Sequence, residues 1–490
     1  EDVVKKACHL SPITQDRIHK KIKDQTGTTL KILQKLAQDL TSEPSADLDH
    51  HAYALQTLTK IGEENIIHSE GLLRRYRKGV WTLIDDREIK KAITEVLNAA
   101  GAEVTSGRIN GILDCFKTAT YRDMKQVWNR NMSSINVLNG ELVQEDGNWV
   151  LKPHNRENYC TTQLPVTYDP DAKAPRFDQF LDEIFAGDPD AFDKRQLILE
   201  MAAYSLQPHC RAEKFIILVG QGANGKSVVM EIVRALAGHR NVSAVQPSEF
   251  GNKFQRAQLL DKLVNMVTEL KRGAKLDDEA VKAITSGEVT TVENKNKDPF
   301  EFQPYSTCWF GTNHMPRTAD FSEALFRRAL VVPFNNEFKG EKADTGLKEY
   351  LAGNELPGIL NMALEAESLA DILCGPFNEP KSCVEAKRRW RLEIDQAACF
   401  AEDELIADPQ GLVTSAEVFY RYRQWVSYNQ IKSPLNRNNF SSRIEALDGA
   451  ALVKVNDVRS LKGFRLRMGT PASDVDIATN SVREEFGVMV

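Results

Sequence analysis

The chain has 490 residues, of which 42% are hydrophobic and 27% charged, and a formal net charge of -6. That length exceeds what one hydrophobic core fills, so several domains are expected, and an acidic balance excludes a uniformly basic nucleic-acid coat. No stretch approaches the roughly 18 to 20 apolar residues of a membrane span and no charged-then-apolar leader opens the chain, so a soluble, cytoplasmic protein without a membrane partner is expected. Eight cysteines lie scattered, with no C-x-x-C pair and no His/Cys cluster at zinc spacing, and read as buried free thiols. Because the chain opens on Glu1 rather than methionine, a further domain upstream is expected.

Residues 11–70 read as helices: Ile13, Ile18 and Ile22, then Leu30, Leu33, Leu36 and Leu40 recur every three to four residues among polar ones. Between those two groups and His50, the segment 40–49 is polar and carries Pro44, as a linker does. From about 75 to 205, β-rich clusters (Val80–Ile84, Val137–Leu142) alternate with helical stretches, which fits an α+β domain. Asn139-Gly140 stands where a tight turn between two short strands would want it.

From about 206 to 335 the pattern becomes apolar runs each followed by a polar helical segment, the signature of a parallel sheet with crossover helices. Phe215–Val219 is a buried-strand run. It leads into Gly220, Gln221, Gly222, Ala223, Asn224, Gly225, Lys226 and Ser227, a full G-x-x-x-x-G-K-S match with Val228 opening a helix and Gly238 placed to end it. Such a loop converges backbone N–H groups on phosphates at a helix N-terminus. Lys226 is expected at the β/γ-phosphates of a purine nucleoside triphosphate and Ser227 on Mg²⁺.

A second apolar run, Leu263–Val267, ends in Thr268-Glu269, and a third, Thr307–Phe310, runs through Gly311-Thr312 into Asn313. Carboxylates and amides at strand ends sit where doubly wound sheets hold their ligands. Glu269 would hold Mg²⁺ and activate water; Asn313 would orient that water. Alone, each also reads as a surface acid and a turn asparagine. Intervals of 43 residues (226 to 269) and 44 residues (269 to 313) place all three at strand ends of one sheet. Arg327-Arg328 then precede the apolar run 329–332 and Pro333-Phe334. Paired arginines there could be solvated, pair with a carboxylate, or reach a neighbouring subunit's phosphate.

Residues 286–293 and 299–302 alternate like two strands joined by Asn294-Lys295-Asn296-Lys297-Asp298, which by itself reads as a solvated turn. After Pro380, the run Lys387-Arg388-Arg389-Trp390-Arg391 leads to a final module. In residues 411–470, ten basic side chains face four acids, Glu417, Glu445, Asp448 and Asp457. A helix at 415–428, a helix near 436–447 and strands around 452–455 and 463–467 would make a winged helix with Arg437, Asn438, Asn439 and Arg443 toward a groove and Arg459 and Lys462 on the wing. A protein-binding winged helix is the other reading of the same fold.

Segment 206–335, with this order of loop, acid, lysine-bearing hairpin, asparagine and arginine 15 residues beyond it (313 to 328), resembles the superfamily 3 helicase module of phage and plasmid primase-helicases, the group that includes poxvirus primase-helicases. The resemblance implies an α/β, AAA+-type P-loop NTPase core preceded by an α+β collar and followed by a winged helix. It divides the chain into a helical segment 1–70, a collar 71–205, an ATPase domain 206–375, a winged-helix domain 376–470 and a tail 471–490. It further implies an ATP-dependent, hexameric DNA helicase acting on single-stranded and forked DNA, with Arg328 as the arginine finger (Arg327 its substitute) and Lys295, Asn296 and Lys297 in the ring channel, assisted by Lys282. A primase domain would lie upstream. The sequence departs from several members of the family in its acidic strand, where those relatives carry two adjacent acids and here Thr268 precedes Glu269. Two other classes fit the loop alone: a DNA-binding ATPase switch for origin recognition or partition, and a small-molecule kinase, which would leave the hairpin, the arginines and the basic module unused.

Overall fold

The computed structural model describes residues 12–33, 49–124, 127–271, 273–293, 298–318, 323–339, 344–366, 377–447 and 449–467, with residues 3 and 7. Contacts divide the chain into two units, Glu1–Arg77 with Thr82–Met124 and Lys78–Trp81 with Lys125–Val490. The division falls after Met124, inside the span 71–205.

In the first unit the expected helical periodicity gives helices Pro12–Thr26 and His50–Ile61. The second starts on Asp49, whose carboxylate accepts from the Ala52 amide at 2.8 Å, and ends at Gly62. An antiparallel pair, Ile66–Ser69 with Leu72–Arg77, follows, so residues 66–69 are strand rather than the end of the expected helical segment, their backbone groups pairing across the hairpin; then come helices Asp86–Ala99 and Ser106–Ala119, capped by Asp85 and Thr105. Ile89, Ile93 and Leu97, one turn apart, bury the inner face of the first of these helices against Tyr53, Leu58, Ile112 and Phe116. The linker and the Leu36–Leu40 repeat lie outside the described residues.

The second unit opens with a three-stranded antiparallel sheet, Ile135–Val137, Gly140–Glu145 and Asn148–Lys152. Val137 pairs with Gly140, so Leu138-Asn139 form the tight turn, one residue earlier than expected. Helices Pro175–Phe185 and Ala191–Ser205 lead to the central sheet. Its strands, with the hairpin that interrupts them, are β1 (Phe215–Val219), β2 (Val242–Ser243), β3 (Val264–Val267), β4 (Thr290–Val292), β5 (Phe300–Phe302), β6 (Thr307–Thr312) and β7 (Ala329–Pro333). The sheet order is β7-β1-β6-β3-β2, all parallel. The fold class is mixed α/β with a parallel sheet.

Apolar residues on both sides of each strand require cover on both faces. Ile216, Leu218, Trp309, Leu330 and Val332 pack on one side with helices 175–185 and 191–205 and with α1 (Lys226–Ala237). Phe215, Ile217, Phe310 and Val331 pack on the other with Phe250, Leu325, Trp390 and the apolar face of α2 (Asp278–Thr285).

The C-terminal module comprises α3 (Lys381–Ile394), α4 (Gln396–Glu404), β8 (Leu405–Thr414), α5 (Ser415–Tyr428), α6 (Arg437–Glu445), β9 (Ala451–Val455) and β10 (Val458–Leu466). Thr414 and Glu417 form a reciprocal capping box that starts α5. In the core Phe400 packs edge-on to Tyr422 and Trp425, and Tyr422 stacks on Phe440. The sheet order is β8-β10-β9. The β9-β10 turn falls on Asn456-Asp457, both at positive φ, as a tight hairpin turn needs. Strand β8 was not expected from the sequence. It carries Pro409, which an edge strand tolerates at the register shift between Ala407 and Leu412.

The six cysteines among the described residues are free thiols, and Cys160, Cys308, Cys383 and Cys399 are buried. Burial pushes Cys160, Cys210, Cys383 and Cys399 up to about 12, so these thiols stay protonated. Among the described residues no helix is long and apolar enough to cross a membrane.

Candidate functional site

Three strands deliver polar residues to one edge of the sheet. β1 runs into Gly220–Ser227, β3 into Thr268-Glu269, and β6 into Asn313. Because β6 lies between β1 and β3, Asn313 stands between the glycine-rich loop and Glu269. The strand ends are laced together: the Gly220 amide donates to Thr312 O at 3.2 Å and the Leu270 amide to Gly311 O at 2.8 Å. Gly311 is required there, since a Cβ would come within 2.3 Å of Thr268 O.

Gly225 caps α1 at φ 90, and a Cβ on it would strike Ile184 at 2.5 Å, so the loop is pressed onto helix 175–185. Lys226 is buried, its amine donating to Gly220 O at 2.6 Å and Asn224 Oδ1 at 3.1 Å. Burial depresses its basicity and the nearby Glu269 charge opposes that shift. Ser227, Thr268 and Glu269 are exposed and Asn313 is half-buried, so the groups on this edge open to solvent around a buried cation. An exposed hydroxyl and an exposed carboxylate flanking a lysine and several loop amides suit a polyphosphate with its cation. No group of three or more His, Cys, Asp or Glu among the described residues forms a metal cage by itself.

Arg327 and Arg328 stand at the other end of the sheet. The Phe215 amide donates to Arg328 O at 2.9 Å, and Ala329 pairs with Phe215. The length of β1, roughly 13 Å at ~3.3 Å per residue, separates them from the glycine-rich loop. Arg327 is 59% exposed, with a long 3.4 Å contact to Glu213. Arg328 is 9% exposed and bound on three sides: to Glu213 at 2.7 Å, Ser286 Oγ at 2.8 Å and Ala324 O at 2.8 Å.

The strands of the charged hairpin are shorter than the 286–293 and 299–302 read from the sequence, covering Thr290–Val292 and Phe300–Phe302 with Ser286-Gly287 in the turn after α2; Thr290 pairs with Phe302 and Val292 with Phe300. Its tip, including Lys295, Asn296 and Lys297, lies outside the described residues. A short helix, Lys253–Arg256, braces β4: Lys253 pairs with Glu293 at 3.1 Å and Arg256 donates to Thr290. Between them Phe254 is 53% exposed. Sequence reading passed over this segment. Two cations flanking an aromatic was the available signal, masked by the helix being only four residues long.

In the C-terminal module Arg437 is exposed and its guanidinium lies 5.9 Å over the Phe419 ring. Arg443 is partly exposed and donates to Ile394 O at 3.0 Å. The basic run of α3 is consumed by partners: Lys387 pairs with Glu379, Arg388 with Asp403, Arg389 with Glu385 and Arg391 with Glu402.

Residues 29–186 match the family described as D5 N terminal like, and residues 218–328 a family of unknown function, DUF5906. "Putative helicase L207/L206" of Acanthamoeba polyphaga mimivirus is 25% identical over 194 residues, 38% of this chain and 20% of that protein. "Putative helicase 184R" of Invertebrate iridescent virus 6 is 24% identical over 217 residues, 39% of this chain and 21% of that protein. Residues 29–186 and both viral relatives bear out the resemblance to phage and viral primase-helicases. The chain spans about a fifth of the length of these curated relatives. The NrS-1 C terminal region in its A form, a solved structure, shares 13% identity at a TM-score of 0.46, over 85% of this chain and 99% of that one.

Proposed function

We propose that this chain is an ATP-dependent DNA helicase module that works as a homo-oligomeric, hexameric ring on single-stranded and forked DNA in phage or viral-type replication. The observation that carries the reading is the separation of parts on one sheet: Lys226, Glu269 and Asn313 share one edge, and the arginine pair stands at the opposite edge. Arginines so placed cannot serve their own subunit's nucleotide and are suited to a neighbour's.

In this reading ATP lies along Gly220–Val228, its phosphates taking the loop amides and the Lys226 amine. Ser227 and Glu269 would hold Mg²⁺, which neutralises phosphate charge. Asn313 orients a water in line with the γ-phosphate, Glu269 accepts its proton as the water oxygen bonds to phosphorus, and the bond to the ADP oxygen breaks. Glu269 acts without a second adjacent carboxylate, Thr268 holding that place. An arginine of the adjacent subunit, Arg328 or its exposed neighbour Arg327, neutralises the developing charge.

The hairpin tip, Lys295, Asn296 and Lys297, would contact the DNA backbone. Phe254 and Lys253 would extend that surface, one stacking on a base and the other meeting phosphate. The AAA+-type core would then follow an α+β collar, with 376–470 as a winged helix whose exposed Arg437, Arg459 and Lys462 meet DNA, Arg443 serving position rather than contact.

The test measures ATP hydrolysis and fork unwinding by the wild type, Lys226→Ala and Lys295→Ala/Lys297→Ala, with and without single-stranded DNA. Lys226→Ala should lose both activities, and the hairpin variant should keep basal hydrolysis but not unwinding. An assembled wild type that hydrolyses ATP yet never separates strands would make the chain a DNA-binding ATPase switch instead.

A further inference from the structure

Ser286 follows α2, its amide donating to Lys282 O at 3.0 Å, and the hairpin strand β4 begins four residues later. The exit of the hairpin, at Pro304, is close by: a Cβ on Gly287 would lie 3.3 Å from both Pro304 O and Cys210 Cβ. The thiol of Cys210 faces Ile284 O at 3.6 Å and Pro304 O at 3.7 Å. Both feet of the hairpin therefore rest on Cys210, whose carbonyl accepts from the Glu213 amide at 2.9 Å. Arg328 reaches Ser286 and Glu213 with the same terminal nitrogen, Nη2. Its Nε is buried without a hydrogen-bond partner.

We infer that Ser286 and Glu213 are positioning residues of a latch: Arg328 is held at the foot of the hairpin in a resting subunit, and exchanges Ser286 for a neighbouring subunit's phosphate. The inference rests on the oligomeric ATPase reading above. A guanidinium binds phosphate in a bidentate fork, using Nη2 with Nε or Nη1. Nη2 has two hydrogens, so giving one to phosphate leaves one, and the charge-assisted bond to Glu213 is kept over the neutral Ser286 hydroxyl. The unpaired Nε supplies the second donor of that fork at no cost in existing bonds. Each engagement thus releases the hairpin foot, and each phosphate departure restores it, so the state of one subunit's nucleotide is read at the next subunit's hairpin. A single two-state contact that both sites bias is sufficient to couple them.

The test uses the full chain as wild type, Ser286→Ala and Glu213→Gln, with three readouts: ATP hydrolysis, base pairs unwound per ATP, and amide exchange of residues 288–302 with and without a non-hydrolysable ATP analogue. Ser286→Ala should keep hydrolysis within about twofold, lose about fivefold or more in unwinding per ATP, and show hairpin exchange that no longer responds to the analogue, a coupling loss in the usual range for a single contact. Glu213→Gln should move in the same direction. Wild-type coupling and wild-type exchange response in Ser286→Ala would overturn the latch. A wild type that hydrolyses ATP without unwinding would overturn the helicase reading, while the exchange response, which needs only nucleotide and assembly, would still decide the latch.

Discussion

Trp390 donates its indole N–H to the carbonyl of Pro316 at 2.9 Å, locking α3 of the C-terminal module to the loop that follows Asn313. The ring is fully buried and packs edge-on to Phe326, one residue before the arginine pair. Replacing it by Phe removes the hydrogen bond and leaves Pro316 O unsatisfied, at a cost of about 1–3 kcal/mol. Replacing it by Ala opens a cavity and should cost about 3–5 kcal/mol. Urea denaturation of both variants checks the order, and equal stability of Trp390→Ala and wild type would refute the anchor.

The two adjacent arginines should separate cleanly in stability. Arg327→Ala removes an exposed, long ion pair and is expected to change stability by less than about 0.5 kcal/mol. Arg328→Ala strands Glu213, Ser286 and Ala324 O and should cost about 1–3 kcal/mol. Denaturation midpoints of the two single variants make the comparison.

Lys226→Ala should fold normally, because its amine is held only by the loop's own Gly220 O and Asn224 and burial already disfavours its charge. Binding of a fluorescent ATP analogue should disappear while the melting temperature stays within a few degrees, about the shift of 1 kcal/mol. Undiminished analogue binding would remove the loop from the site.

His209 is buried against Tyr204, and burial with the Arg211 charge lowers its pKa from 6.5 to about 4. A depressed histidine means the folded state refuses a proton that the unfolded chain accepts. Its contribution is therefore complete above about 6.5 and is lost as pH falls from there toward 4, on the order of 3 kcal/mol in all. Stability should fall less between pH 7 and 4.5 in His209→Gln than in the wild type; parallel curves would contradict the shift.

Phe254→Ala should weaken single-stranded DNA binding by about 1–3 kcal/mol if the ring stacks on a base, with no loss of stability since it is largely exposed. Anisotropy titrations at fixed salt measure it. Unchanged affinity would confine DNA contact to the hairpin tip and the C-terminal module.

The local signals in the sequence were enough for the pieces. An apolar run, a glycine-rich G-K-S turn and a helix ending at Gly238 define a strand-loop-helix because backbone sterics and periodicity act over a few residues. The same short-range rules place Glu269 and Asn313 just past strands and pair Thr290–Val292 with Phe300–Phe302. Which strands are neighbours is a long-range matter, and only the tertiary structure decides that β6 enters between β1 and β3 to set Asn313 beside the loop. The same holds for charge. Arg327 and Arg328 look alike in sequence, as do the cations of 387–391 and 411–470. Burial, with the Glu213 carboxylate and the Ser286 hydroxyl that arrive from 115 and 42 residues away, makes Arg328 an anchored strut and leaves Arg327 a solvated side chain. Strand β8 was illegible for the same reason: Asp408-Pro409-Gln410-Gly411 reads as a turn, and only pairing with β10 holds its two halves extended.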